Sequence, residues 1–163
     1  LNGNHIPPHM EKTYKDHVEV LLKRIRPLFK NTLNQRIHGD CHWGNLIWDQ
    51  KDFYFIDFDD MVSGPPIQDF WLLLPGRDEQ SKKNRDIFLT AYDSLNHFDH
   101  SSLKLMEPLR ALRFIHFSAW IAKRWEDPSF KQAFPQFGND HYWEQQLLDM
   151  RDQLSNIEEP FFL

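Results

Sequence analysis

The run His38-Gly39-Asp40-Cys41-His42-Trp43-Gly44-Asn45, followed by the acidic cluster Asp57-Phe58-Asp59-Asp60, holds the residues of this chain best suited to chemistry. Two short apolar segments, Leu46–Trp48 and Phe53–Ile56, separate the two groups. Read as strand, turn and strand, they fold Asp57 back toward Asn45 and Asp40. An amide oxygen and a carboxylate gathered in this way are hard donors of the kind that hold Mg²⁺ on nucleotide phosphates. The other carboxylate stays free to orient a hydroxyl for phosphoryl transfer.

Each of these residues also has a plainer use. Asp40 is either the base, or the group that orients an acceptor, or an aspartate that caps a turn. Gly39 before it lets the backbone turn closely. Asn45 stands five residues on, immediately before an apolar strand, where it serves as a Mg²⁺ ligand, fixes the loop holding Asp40, or simply makes a turn. Asp57 closes the run Phe53–Ile56 and is the main metal-ligand candidate. Asp59 falls on the same side if extended alternation continues and is then an auxiliary ligand, while Asp60 reads as loop structure. His38 and His42 flank Cys41, but no second cysteine or compact cluster completes the four ligands of a zinc site. His38 is expected to hydrogen-bond backbone near the acidic loop, and His42 to brace the loop of Asp40. Asp69 either caps a helix or binds the backbone amides that hold that loop. Arg110, Arg113, Lys123 and Arg124 read as solvated or salt-bridged positions, with contact to an acidic substrate as the alternative.

The elements that must position these residues are mostly helical. Leu1–His9 reads as a linker. From Met10 the apolar residues Tyr14, Val18, Leu21, Leu22, Ile25, Leu28 and Phe29 recur every three or four positions, the mark of one buried helical face, and Pro27 ends or kinks that helix. Gln35–His38 is a short strand, Asp49–Asp52 a polar turn, Met61–Pro66 a loop and Ile67–Leu74 a short helix. Ser81–His97 is helical, Ser101–Met106 starts a further segment, and a long helix runs from near Pro108 through Trp125. Trp143, Leu147, Met150, Leu154 and Ile157 mark a C-terminal helix. A two-stranded hairpin is marginal alone, so its aromatic residues are expected to pack on helices. The fold class is α+β: a helical domain with a small β-hairpin that carries the acidic loops.

Composition bounds the rest. The chain has 163 residues, 40% hydrophobic and 15% aromatic, enough for one folded domain. Its net charge of −5 and lack of a basic block argue against a nucleic-acid partner. No apolar run approaches the roughly 20 residues that span a bilayer, so no membrane partner is expected. Cys41 is the only cysteine, which fits a reducing compartment and a cytoplasmic location.

The pattern His-Gly-Asp-x-His-x-x-Asn at His38–Asn45, followed by Ile-Asp-Phe-Asp at Ile56–Asp59, resembles the aminoglycoside phosphotransferase and choline kinase superfamily. The Gly64-Pro65 to Asp69-x-Trp71 segment, Glu107–Arg113, Asp127-Pro128 and Tyr142-Trp143 are similar to a bacterial serine/threonine protein kinase group within it. The resemblance implies a protein-kinase-like C-terminal lobe over residues 1–163. It further implies Asp40 as catalytic aspartate, and Asn45 and Asp57 as magnesium ligands that bind the nucleotide. The implied activity is ATP-dependent phosphorylation of a protein acceptor in a stress response, by a monomer. Small-molecule hydroxyl kinases of the aminoglycoside, choline or homoserine type share the same trio, and a non-catalytic kinase-like binding module is a third reading. No Gly-rich kinase loop or strand–Lys–helix module precedes His38. The chain is therefore expected to be the C-terminal lobe of a longer enzyme, with little transfer by itself.

Overall fold

Proline at the first turn, where its missing amide costs nothing, opens helix α1 (Pro8–Ile25). In this computed structural model, residues 5–159 are described. Of the segment 1–9 read as a linker, residues 1–4 lie outside them. The helix starts two residues before the apolar spacing begins, and its buried residues are Met10, Tyr14, Leu21 and Ile25. It ends just before Pro27, which sits in the 3-10 turn Arg26–Phe29. The described residues divide into two compact units, 5–30 with 107–159, and 31–106.

The second unit carries four three-residue strands: β1 (Gln35–Ile37), β2 (Leu46–Trp48), β3 (Phe53–Phe55) and β4 (Val62–Gly64). β2 and β3 form an antiparallel hairpin with Leu46 opposite Phe55 and Trp48 opposite Phe53. Asp49 shapes its turn, its Oδ1 accepting the amides of Lys51 at 2.9 Å and Asp52 at 2.7 Å. β1 and β4 form a second antiparallel ladder, with Gln35 opposite Gly64 and Ile37 opposite Val62. The segment Met61–Pro66, read as a loop, is thus partly a strand. Its pairing partner lies far away in sequence, so no local signal announces it. Helix α2 (Ile67–Leu73) follows Pro65-Pro66 and buries Ile67, Phe70, Trp71, Leu72 and Leu73. Asp78 caps α3 (Glu79–Asp93) through the Ser81 amide at 2.9 Å.

The hairpin does not pack as expected. Trp48 lies tilted against Phe53 with ring centroids 4.6 Å apart, yet Ile47, Trp48, Phe53, Tyr54 and Phe55 all stay about half exposed. Their aromatic content reads as core, but among the described residues the ring contacts beyond the hairpin are only the distant ones of Phe53 with Trp43 and of Phe55 with His38, each at 6.5 Å.

The first unit is completed by α4 (Met106–Lys123), α5 (Pro128–Ala133) and α6 (Asp140–Glu158), Met106 itself belonging to the second unit. Asp127 and Asn139 cap the last two helices through the amides of Ser129 and Tyr142. Tyr14 meets the fully buried Trp143 edge-on at 5.1 Å, among Leu21, Ile25, Ala111, Ile121 and Met150. Truncation of a buried tryptophan of this kind typically costs about 3–5 kcal/mol. Of the arginines considered from sequence, Arg110 sits in this unit's packing with its Nε 3.3 Å from Glu107 Oε2, while the exposed Arg124 sets its guanidinium 4.9 Å from the Trp120 ring.

Candidate active site

Every acidic candidate lies in the second unit, and α2 anchors the first of them. Asp69, in the first turn of α2, accepts the His38 amide on Oδ2 at 2.7 Å and the Gly39 amide on Oδ1 at 2.9 Å. Gln68 donates from Nε2 to the Gly39 carbonyl at 3.1 Å. Three side-chain bonds from one helical turn therefore fix the dipeptide before Asp40. Gly39 has φ 87°, and a Cβ there would stand 2.3 Å from the Asp60 carbonyl oxygen. The Asp40 loop thus passes directly against the acidic turn. The Asp40 side chain keeps 23% of its exposure, and its Oδ2 lies 3.4 Å from His42 Nε2. His42 Nδ1 accepts the Gly44 amide at 3.0 Å, so the proton of the neutral ring sits on Nε2, facing the carboxylate.

Asn45 and His38 tie this loop to Asp57. Asn45 is buried and donates from Nδ2 to the Asp40 carbonyl at 2.9 Å. Its own carbonyl accepts the Ile56 amide at 3.0 Å, one rung beyond the β2–β3 ladder. His38 donates from Nε2 to the Ile56 carbonyl at 2.8 Å, and its ring lies 4.9 Å from that of Phe58. The residue before Asp57 is therefore held at both its amide and its carbonyl, by residues from the two ends of the His38–Asn45 loop. Asp57 itself adopts the left-handed conformation, φ 62° and ψ 65°, which costs a non-glycine residue about 1–2 kcal/mol. Strain of this kind persists only where neighbouring bonds over-determine it, and Ile56 supplies two of them.

The left-handed turn also removes the basis for pairing Asp57 with Asp59 by strand alternation. Extended structure stops at Phe55, and Phe58–Asp60 is a 3-10 turn. Asp57, Asp59 and Asp60 are all exposed. Among the described residues no three His, Cys, Asp or Glu side chains are grouped so as to hold a metal by themselves. The donor set suits a cation that arrives with its own ligands. With Nδ2 committed to Asp40, Asn45 has Oδ1 left for a cation, and Asp57 offers an exposed carboxylate. Mg²⁺ commonly takes one or two protein oxygens and completes its shell from phosphates and water, so these two residues fit it. Cys41 is no nucleophile here. Burial, then the charges of Asp69 and Asp40, push its thiol up to about 11, which keeps it neutral near pH 7.

Some of this construction has no clear mark in the sequence. Gln68 bonds Gly39, and the Trp43 indole donates to the Leu73 carbonyl at 2.7 Å, a second tie from the loop to α2. Both are legible only as polar groups near Asp69 and Asn45. The double clamp by Asp69 yields a direct prediction. Asp69→Asn keeps one acceptor oxygen and turns an amide donor toward a backbone amide, so the folded state should lose about 2 kcal/mol. Equilibrium urea denaturation measures it, and a loss below about 0.5 kcal/mol would remove Asp69 from the account of how the loop is held.

Among the described residues, six helices and two small antiparallel ladders, with the acid-bearing loops strung between the strands, define an α+β protein-kinase-like C-terminal lobe. The model of the Phosphotransferase enzyme family (APH) matches residues 5–106, a stretch that includes every site residue above, and the chain belongs to that family. Among curated proteins it is similar to Stress response kinase A of Salmonella paratyphi A, 33% identical over 156 residues, which cover 95% of this chain and 47% of that protein. The serine/threonine protein kinase RdoA of Salmonella typhimurium matches to the same extent. Stress response kinase A of Escherichia coli K12 is 38% identical over 125 residues, 77% of this chain and 38% of that protein. The chain thus spans about half the length of the curated relatives it matches.

Proposed function

We propose that this chain is the catalytic-loop half of an ATP-dependent serine/threonine protein kinase acting in a bacterial stress response. The observation that carries the reading is the double clamp on Ile56, which ties the Asp40 loop to Asp57 through His38 and Asn45. Asp40 accepts a hydrogen bond from the acceptor hydroxyl and takes its proton as the oxygen bonds to the γ-phosphorus. The bond from that phosphorus to the β–γ bridging oxygen breaks, and ADP leaves. His42 Nε2–H steadies the Asp40 carboxylate, and Asp69 with Gln68 keeps the loop from drifting. Asn45 Oδ1 and Asp57 are the residues that would hold Mg²⁺. When bound, the ion offsets charge on the phosphate oxygens.

The likeness to named stress response kinases supports the protein acceptor, and the coverage of about half of each relative supports a second, nucleotide-covering half. The half-exposed hairpin agrees with that picture, because apolar surface of this kind is usually covered by another domain or partner. The reading includes a cytoplasmic monomer with ATP and a protein as its partners. No helix among the described residues is long and apolar enough to cross a membrane. The test is incubation of the full-length protein with ATP, Mg²⁺ and either candidate proteins or amino alcohols, sugars and aminoglycosides, with phosphosites mapped. Phosphate on protein Ser/Thr is the expected result. Rapid turnover of a small acceptor with every protein left unmodified would overturn it.

A further inference from the structure

Gly44 is a glycine that its backbone does not require. It lies in the 3-10 turn Trp43–Asn45, and the described glycines with positive φ are Gly39 and Gly138. A residue with a side chain adopts a 3-10 turn readily. What a side chain at this position would meet is His42. A Cβ there would stand 2.8 Å from His42 Cε1 and 3.0 Å from His42 Nδ1, and nothing else outside its own turn lies within 4 Å. The space left empty at Gly44 is therefore space for one ring.

That ring sits between Gly44 and Asp40. The backbone of His42 is fixed on both sides, its amide donating to the Asp40 carbonyl at 2.9 Å and its carbonyl accepting the Asn45 amide at 2.9 Å. Only the side-chain torsions are left to place the imidazole. The Gly44 amide donates to Nδ1 at 3.0 Å, which leaves the proton of the neutral ring on Nε2, 3.4 Å from Asp40 Oδ2. This is slightly longer than a full hydrogen bond, the loose geometry usual at a catalytic group before substrate closes the site. With the other tautomer, the ring would turn a lone pair toward the carboxylate and repel it.

We infer that Gly44 is a positioning residue for the phosphoryl transfer proposed above, acting through His42: its bare amide selects the Nε2–H tautomer and holds that donor against Asp40. The kinetic consequence rests on the proposed role of Asp40, whereas the coupling of Gly44, His42 and Asp40 is a property of the chain itself. This role differs from packing in what a methyl group would do. At Gly39 the obstacle is the Asp60 backbone, but at Gly44 it is the end of a side chain. A methyl at Gly44 pushes the His42 ring aside, breaks its bond to the amide and leaves the fold standing.

Gly44→Ala, His42→Ala and the double variant test this in two settings. In the isotope-labelled 163-residue chain, nuclear magnetic resonance should show His42 as one tautomer, Nδ1 bare and Nε2 protonated, with His42→Ala identifying its signals among the nine histidines. Gly44→Ala should draw the two nitrogen resonances together as the tautomers mix, and should shift the Asp40 carboxyl carbon as His42→Ala does. In the full-length protein, Gly44→Ala should lower kcat about tenfold or more and leave KM for ATP within about twofold. Once the His42 ring is gone, the added methyl should cost nothing further, because nothing else stands near it. A Gly44→Ala chain that fails to fold, an unmoved tautomer, a still Asp40 carboxyl carbon, or an equal kcat loss with and without His42 would overturn the proposal. A full-length protein that phosphorylates no acceptor would instead remove the kinase reading, and the two resonances would still decide whether Gly44 places His42 on Asp40.

Discussion

For the kinase reaction proposed above, replacing Asp40 by asparagine should lower kcat of the full-length protein by about 10²–10⁴-fold and leave KM for ATP within about twofold. Asparagine keeps the shape and the reach toward His42 Nε2–H, which lies 3.4 Å from Asp40 Oδ2. What it cannot do is take the acceptor's proton. The backbone around it should not move, because the Asp40 carbonyl, not its side chain, accepts the Asn45 amide group. The loss therefore belongs to the chemical step. Asp57→Asn differs in kind, since it weakens the proposed oxygen donor to Mg²⁺ and should raise the Mg²⁺ concentration needed for half-maximal rate. Steady-state kinetics at several Mg²⁺ concentrations separate the two variants. An Asp40→Asn enzyme that regains full kcat at high Mg²⁺ would transfer Asp40 from the acceptor to the metal.

The parts of the fold legible in sequence are those whose signal is local. The three-to-four spacing along α1 and α6 is a direct image of one buried face, and Pro27 stops α1 because it removes an amide. β2 is legible because the polar turn Asp49–Asp52 follows it at hairpin spacing. β4 escapes because Val62-Ser63-Gly64 before two prolines has the composition of a loop, and only its distant partner β1 makes it a strand. α5 is six residues long, and its one cue is the Asp127 cap ahead of Pro128. The hairpin aromatics mislead for a physical reason, since hydrophobic composition reports a preference for burial and not whether this chain supplies the cover.

The site divides along the same line. Residue type and a five-residue offset are enough to nominate Asn45 beside Asp40, because a loop that short leaves its side chain few carbonyls to reach. They do not reveal that Ile56 is the hinge of the arrangement, since it acts through backbone groups that any residue carries. Nor do they reveal the left-handed turn at Asp57. Alternation continues on paper past Phe55, whereas the chain turns to bring Asp60 against Gly39.

That contact makes Gly39→Ala the most damaging single-methyl change expected in the second unit. Two costs add. The first is backbone strain, because φ 87° lies where an L side chain meets its own carbonyl, at about 1–2 kcal/mol. The second is collision, with the new Cβ 2.3 Å from the Asp60 carbonyl oxygen, a backbone atom that cannot rotate away. Relieving it means moving either the Asp57–Asp60 turn or the dipeptide bonded to Asp69, so the total should reach about 3 kcal/mol or more. Gly138 in the first unit is the internal control. It has φ 90°, but a Cβ there would stand 3.7 Å from the His5 carbonyl, an ordinary contact, so Gly138→Ala meets the strain alone. Urea denaturation of the two variants should show Gly39→Ala the less stable by at least about 1 kcal/mol, with the amide resonances of 57–60 displaced only in that variant. Equal losses would mean that Gly39 is required for its dihedral alone and that the Asp40 loop and the acidic turn are not pressed together.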